Sequence, residues 1–181
     1  MATNIEIKAK AKDMPKLRGL AEELSDGPGT TITQEDTFFQ TPRGRLKLRI
    51  LSPERGELIY YERNDASGPK PSNYLIYTTN DPGSLKAALS ASLGVRGVVR
   101  KRRTLYCVGQ TRIHLDEVEG LGTFLELEVV LGPGQSEEQG GTIAAELTAQ
   151  LGIKEADLVE VAYIDLLEKR TRPNRAPPRP S

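Results

Sequence analysis

The chain has 181 residues, 28% of them charged and 37% hydrophobic, a composition that suits one folded domain with a sizeable core. Its 25 Lys and Arg balance 25 Asp and Glu, so it lacks the basic excess of a general nucleic-acid or membrane-surface binder. The single cysteine, Cys107, excludes an internal disulfide. It has no Cys or His at zinc-ligand spacing and is expected to be a small buried hydrophobe on a strand. No apolar leader pattern opens the sequence and no apolar run approaches membrane-spanning length, so a cytoplasmic location is expected.

Residues 1–12 alternate apolar and polar side chains and read as a strand. Asp13-Met14-Pro15 then opens a helix, with Asp13 as cap, Pro15 in the first turn, and Met14, Leu17, Leu20, Ala21 and Leu24 as its apolar stripe. After the Gly27-Pro28-Gly29 break, strands are expected over 31–40, 44–51, 56–63 and 73–79, separated by Pro- and Gly-containing turns. A second helix fits 83–93, with Gly94 at its end. Strands resume over 97–108, 111–118 and 123–131. A third helix fits 136–151 and a short fourth one 161–169. From Lys169 the sequence turns Arg- and Pro-rich. Such a segment buries no apolar surface and is expected to be a disordered tail following one domain over 1–168.

The polar faces of several strands are rows of charge, because side chains at i and i+2 share a face. Asn4, Glu6 and Lys8 form one row; Arg45, Lys47 and Arg49 another, backed by Leu46, Leu48 and Ile50. Arg112, His114 and Asp116 form a third, Glu126 and Glu128 a fourth, and Lys101 and Arg103 a fifth. One such row is ordinarily a solvated face, but five rows segregated by sign are not. If the helices cover the apolar faces, the charges point inward. About eight antiparallel strands then close into a barrel, giving an α+β fold with helices packed outside a charged tunnel. Its interior would set an acidic cluster (Glu6, Asp116, Glu126, Glu128) against a basic one (Lys8, Arg45, Lys47, Arg49, Arg63, Lys101, Arg103, Arg112). Carboxylates suit a hard divalent cation such as Mg²⁺ or Mn²⁺, and Arg and Lys suit phosphate oxygens. No Gly-rich phosphate loop of the Walker type is present, so side chains would do the binding. His114, the only histidine, reads as a hydrogen-bonded liner more readily than as a catalytic base.

Asn-Ile-Glu-Ile-Lys at 4–8 resembles the Glu-x-Glu-x-Lys signature of the CYTH domain, the triphosphate tunnel metalloenzymes. That superfamily contains class IV adenylyl cyclases, thiamine triphosphatases and inorganic triphosphatases. The resemblance runs through Gln34 to Phe39, Gly44 to Arg49, Tyr60 to Arg63, Gly68-Pro69-Lys70, Lys101-x-Arg103 and Asp116 to Glu128, and ends at Tyr163 to Leu167. Its wording is nearest the class IV adenylyl cyclase-like branch. It implies an eight-stranded tunnel, with Glu6, Asp116, Glu126 and Glu128 as metal ligands. It also implies that Lys8, Arg45, Arg49, Arg63, Lys101, Arg103 and Arg112 hold the triphosphate, with Lys47 on the same face. Lys8, Arg63 and Glu128 are the catalytic candidates. The first glutamate of the signature is Asn4 here, which offers an oxygen without a charge and weakens any metal site that needs that carboxylate.

Three functions follow from this reading. The first is a metal-dependent triphosphatase acting on a nucleoside, thiamine or inorganic triphosphate, as a monomer or homodimer with no nucleic-acid or membrane partner. The second is an adenylyl cyclase releasing cyclic AMP and pyrophosphate from ATP. The third, favoured by Asn4, is a triphosphate- or polyphosphate-binding module without turnover. Because the basic Pro-rich tail contributes no apolar surface, deleting residues 171–181 is expected to change neither melting temperature nor triphosphate turnover. A thermal scan and a turnover assay of the truncated chain check this, and a large loss of activity would mean that the segment closes the barrel mouth.

Overall fold

The computed structural model describes residues 1–66 and 68–171. Eight strands form one sheet: β1 (Ala2–Lys10), β2 (Thr30–Phe39), β3 (Arg45–Ser52), β4 (Arg55–Arg63), β5 (Lys70–Thr79), β6 (Val95–Val108), β7 (Thr111–Val118) and β8 (Gly122–Val130). The sheet closes on itself in the order β1-β5-β4-β3-β2-β6-β7-β8, and every neighbouring pair is antiparallel. Strand β1 makes the closure, pairing with β5 along its first half and with β8 along its second. A closed sheet has no free edge to template aggregation.

The helices are α1 (Met14–Leu24), α2 (Pro82–Leu93), α3 (Glu137–Gln150) and α4 (Tyr163–Thr171). Their starts are written locally. The Asp13 carboxylate accepts from the Lys16 amide at 3.1 Å and the Asp81 carboxylate from Ser84 at 3.0 Å. Ser136 and Gln139 form a reciprocal capping box. Each arrangement satisfies amide donors that the first turn leaves unpaired.

The main apolar core lies outside the barrel wall. Ile5, Ile7, Ile113, Leu115, Leu125, Leu127 and Val129 face outward from β1, β7 and β8 and meet Leu17 and Ala21 of α1 and Ala144 and Leu147 of α3. Since alternate residues point the other way, this cover turns the charged rows inward, as the sequence pattern requires. A second cluster, containing Phe38, Val99, Phe124, Ala162, Tyr163 and Ile164, seats α4 against one end of the barrel. None of the described helices is long and apolar enough to cross a membrane.

Two details differ from the sequence expectation. Cys107 is exposed rather than buried. It pairs with Arg112 near the end of β6, where the inward face runs past the barrel rim into solvent. Helix α4 continues through Thr171, so Lys169 and Arg170 belong to it; as bases in its last turn they complement the helix dipole. The rest of the expected tail, 172–181, lies outside the described residues.

Helix α3 approaches the barrel closely through Gly140. A Cβ there would come within 2.5 Å of Leu131 Cδ2 and 2.7 Å of Ile5 Cγ1. Gly140→Val is expected to push α3 off the barrel wall and cost about 1–3 kcal/mol, read as a lower urea midpoint with an unchanged slope.

Candidate active site

The inward faces of the strands meet around a chamber of roughly 210 Å³. Strand β1 supplies Asn4, Glu6 and Lys8; β2 supplies Asp36; β3 supplies Lys47 and Arg49; β4 supplies Tyr61 and Arg63; β6 supplies Lys101 and Arg103; and β7 and β8 supply Arg112, Glu126 and Glu128. Seven basic side chains line it against five acidic ones. Buried ions are tolerated only when compensated, and the ligand-free chamber compensates itself through ion pairs.

Asp36 accepts from Arg49 Nε at 2.8 Å and Nη2 at 2.9 Å and from Lys47 Nζ at 2.9 Å. Burial pushes its carboxyl up, but Lys47 and Arg49 more than offset that and hold it well below the usual range. Asp116 is fully buried and takes Arg103 in a fork, with Nε and Nη2 each at 2.6 Å, plus the Tyr163 hydroxyl at 2.9 Å. Arg103 Nη2 also donates to Glu126 Oε2 at 2.5 Å, while Lys8 Nζ lies 3.1 Å from Glu126 Oε1. Lys8 sits 3.9 Å above the Tyr163 ring centroid, a cation–π contact in a dry place. Arg63 Nη1 donates to Glu6 at 2.9 Å, but its Nε and Nη2 are buried without a partner. Those two unmet donors are what an anion such as a phosphate oxygen satisfies.

The acids are less well served. Glu6 and Glu128 are direct register partners on β1 and β8, and like charges placed opposite each other repel. Burial and the charge of Glu128 raise the Glu6 pKa despite Arg63. The nearest cation to Glu128 is Arg112, at 3.5 Å. His114 is buried beside this group. Burial, reinforced by Arg103, lowers its pKa.

Ten of the expected site residues therefore share one chamber: Glu6, Lys8, Lys47, Arg49, Arg63, Lys101, Arg103, Arg112, Glu126 and Glu128. Two stand apart. Arg45 points to the α4 end, where it donates to Asp65 and to Asp165 of α4. Arg96 joins it on Asp165 and also holds Glu168, so this pair latches α4 in place. Asp116 sits in the wall with its carboxylate taken up by Arg103 and Tyr163, the position of an anchor for Arg103. Sequence reasoning assigned no site role to Asp36 or Tyr163. Asp36 is the only acid on its face of β2, between Gln34 and Phe38, and forms no row. Tyr163 reaches the chamber only because α4 folds across the barrel end.

The chain belongs to the CYTH family, whose domain description matches residues 2–163. Adenylate cyclase CyaB of Aeromonas hydrophila is 26% identical over 145 residues, covering 75% of this chain and 73% of that protein. The structure of PH1012 from Pyrococcus horikoshii superposes with a TM-score of 0.78 at 27% identity, covering 90% of this chain and 98% of that one. HpAC1 from Hippeastrum superposes with a TM-score of 0.60 at 19% identity over 94% and 96% of the two chains; that protein is described as having a dominant triphosphatase activity. CYTH tunnel enzymes depend on a metal, and the donor set here fits one. Glu6 and Glu128 oppose each other across the β1–β8 pair, and Glu6 is already strained toward protonation by burial and by that neighbour.

The bases carry a testable consequence. Burial and Arg103 lower the Lys101 pKa to about 8 despite Asp116. Its folded value thus lies below the unfolded one of about 10.4. Between these values the folded chain has shed a proton that the unfolded chain keeps, so stability rises with pH. The urea midpoint of the ligand-free protein is expected to climb between about pH 8 and 10. Lys101→Met should make that climb shallower.

Proposed function

We propose that this protein is a divalent-metal-dependent triphosphatase, cleaving the terminal phosphoryl group of a triphosphate held in the chamber. The supporting observation is the excess of basic over acidic lining side chains, together with the two unpaired buried donors of Arg63. A triphosphate carries more negative charge than the lining acids leave uncompensated, and it offers oxygens to Arg63, Lys8, Lys101, Arg49 and Lys47. Binding is an exchange of partners. Bases would move from carboxylates to phosphate oxygens, and the released carboxylates of Glu6, Glu126 and Glu128 would hold the metal. When bound, the metal supplies charge neutralisation at the phosphate oxygens and lowers the pKa of water.

The chain's own groups do the positioning. Asp116, itself held by Tyr163, keeps Arg103 aimed into the chamber and would still do so with Glu126 turned to a metal. Asp36 does the same for Lys47 and Arg49. With α4 sealing one end, the site is partly shielded from bulk water, which strengthens every charge contact inside it. Water adds to the terminal phosphorus, the bond to the bridging oxygen breaks, and diphosphate and orthophosphate leave.

A cyclase is the second reading, favoured by the CyaB relative. It needs a seat for adenine and a base for the ribose hydroxyl. Hydrolysis needs no seat for adenine and so asks less of the chamber. Products separate the readings. ATP, thiamine triphosphate or inorganic triphosphate with Mg²⁺ or Mn²⁺ should give orthophosphate and no cyclic AMP. Glu128→Gln is expected to lower that turnover at least about a hundredfold, while its ligand-free melting temperature holds or rises because the repulsion with Glu6 is relieved. Cyclic AMP as the main product would select the cyclase, and tight triphosphate binding without turnover would select a binding module.

A further inference from the structure

His114 is the chain's only histidine. It pairs in register with Glu126, one step inside Arg112 and Glu128 along the same two strands. Its side chain is 5% exposed, and Nδ1 has no hydrogen-bond partner. Nδ1 stands 3.9 Å from Glu126 Oε2 and 3.7 Å from Glu128 Oε1, both beyond hydrogen-bond length. A buried polar atom left this way is destabilising unless a ligand satisfies it. The arrangement is unsatisfied as it stands.

It is satisfied by a cation. One ligand atom from each of His114, Glu126 and Glu128 lies within 4.8 Å of the others. A first-row divalent ion bonds nitrogen and oxygen at about 2.0–2.2 Å, so two ligands of one ion stand up to about 4.3 Å apart. Both histidine distances fall inside that limit, and a small contraction of the set brings all three atoms onto one ion. Arg103 also donates to Glu126 Oε2, the oxygen nearest Nδ1, and has its fork on Asp116 to hold it if Glu126 turns to an ion.

We propose that His114 Nδ1 is a metal ligand together with Glu126 and Glu128, and that this nitrogen makes the chamber prefer Mn²⁺ over Mg²⁺. This rests on the reading above that Glu126 and Glu128 take the metal, and adds a ligand and a selectivity to it. The chemical reason is that Mg²⁺ strongly favours oxygen donors, whereas imidazole is a good ligand for transition ions. The ligand also compensates for Asn4, where the chain lacks a carboxylate.

The test is pulsed EPR of Mn²⁺ added to the metal-free full chain, with and without inorganic triphosphate. Two preparations are compared, one of natural isotopes and one grown with ¹⁵N-histidine; with a single histidine the labelling is unambiguous. A ¹⁴N coupling that converts to ¹⁵N coupling is the expected result, and it needs no variant to fold. In His114→Gln the coupling should vanish. Mn²⁺ affinity should fall about tenfold or more, while Mg²⁺ affinity changes by about twofold or less. Bound Mn²⁺ with no histidine coupling, or equal weakening of both ions in the variant, overturns the proposal. It leaves the triphosphatase reading standing on its product assay and on Glu128→Gln. Failure of either ion to bind, with no turnover of any triphosphate, overturns both.

Discussion

The constraint on which the structure depends is charge compensation inside a closed barrel. Closing eight antiparallel strands puts one face of each strand in a narrow interior, and here that face carries most of the protein's inward charge. Isolated ions in such a place would each cost several kcal/mol. The chain meets this by setting bases of β1, β3 and β6 against acids of β2, β7 and β8 at hydrogen-bonding distance. Stability comes from elsewhere, from the apolar layer between the barrel wall and helices α1 and α3. Hydrophobic burial outside and electrostatic matching inside are therefore opposite faces of the same strands.

The acids divide into two kinds by how fully they are engaged. Asp36 and Asp116 each hold basic partners in short, multiple hydrogen bonds and are almost wholly buried. They sit in the wall and fix the arginine and lysine side chains they hold. Glu6, Glu126 and Glu128 face the chamber: Glu6 and Glu128 oppose each other with one basic partner apiece, and Glu126 is shared between Arg103 and Lys8. A metal and a polyanion entering together would relieve these three while occupying the bases they release. On the proposed reading, the same residues that balance one another in the interior would form the binding site once the balance is exchanged.

Helix α4 links the site to the end of the chain. Asp165 and Glu168 are held by Arg45 and Arg96 at the rim. Lys8 and Lys70 donate to the Val161 and Glu160 carbonyls on the approach to the helix. The helix brings Tyr163 under Lys8 and onto Asp116. One helix turn thus closes the barrel end, orders a chamber lysine and completes the anchor of Arg103.

Much of this was legible in one dimension because its cause is local and periodic. Alternation along β1, β3, β6, β7 and β8 reveals rows of charge backed by apolar residues, and alternation depends only on the strand pleat. Helix caps at Asp13, Asp81 and Ser136 are likewise local. The closed barrel followed from these, together with ten of the chamber residues. What the rows could not carry was depth and partnership. Arg45 continues the Lys47 and Arg49 row, yet lies at the end where α4 captures it. Asp116 continues the Arg112 and His114 row, yet falls where Arg103 takes up its carboxylate. Cys107 lies one register step past the rim, so a residue type usually buried is exposed. Asp36, Tyr163 and the unmet Nδ1 of His114 acquire meaning only from strands and a helix distant in sequence. A strand's own pattern determines which side of the sheet a residue faces; how far along the barrel it sits, and which opposite charge reaches it first, is decided by the closure.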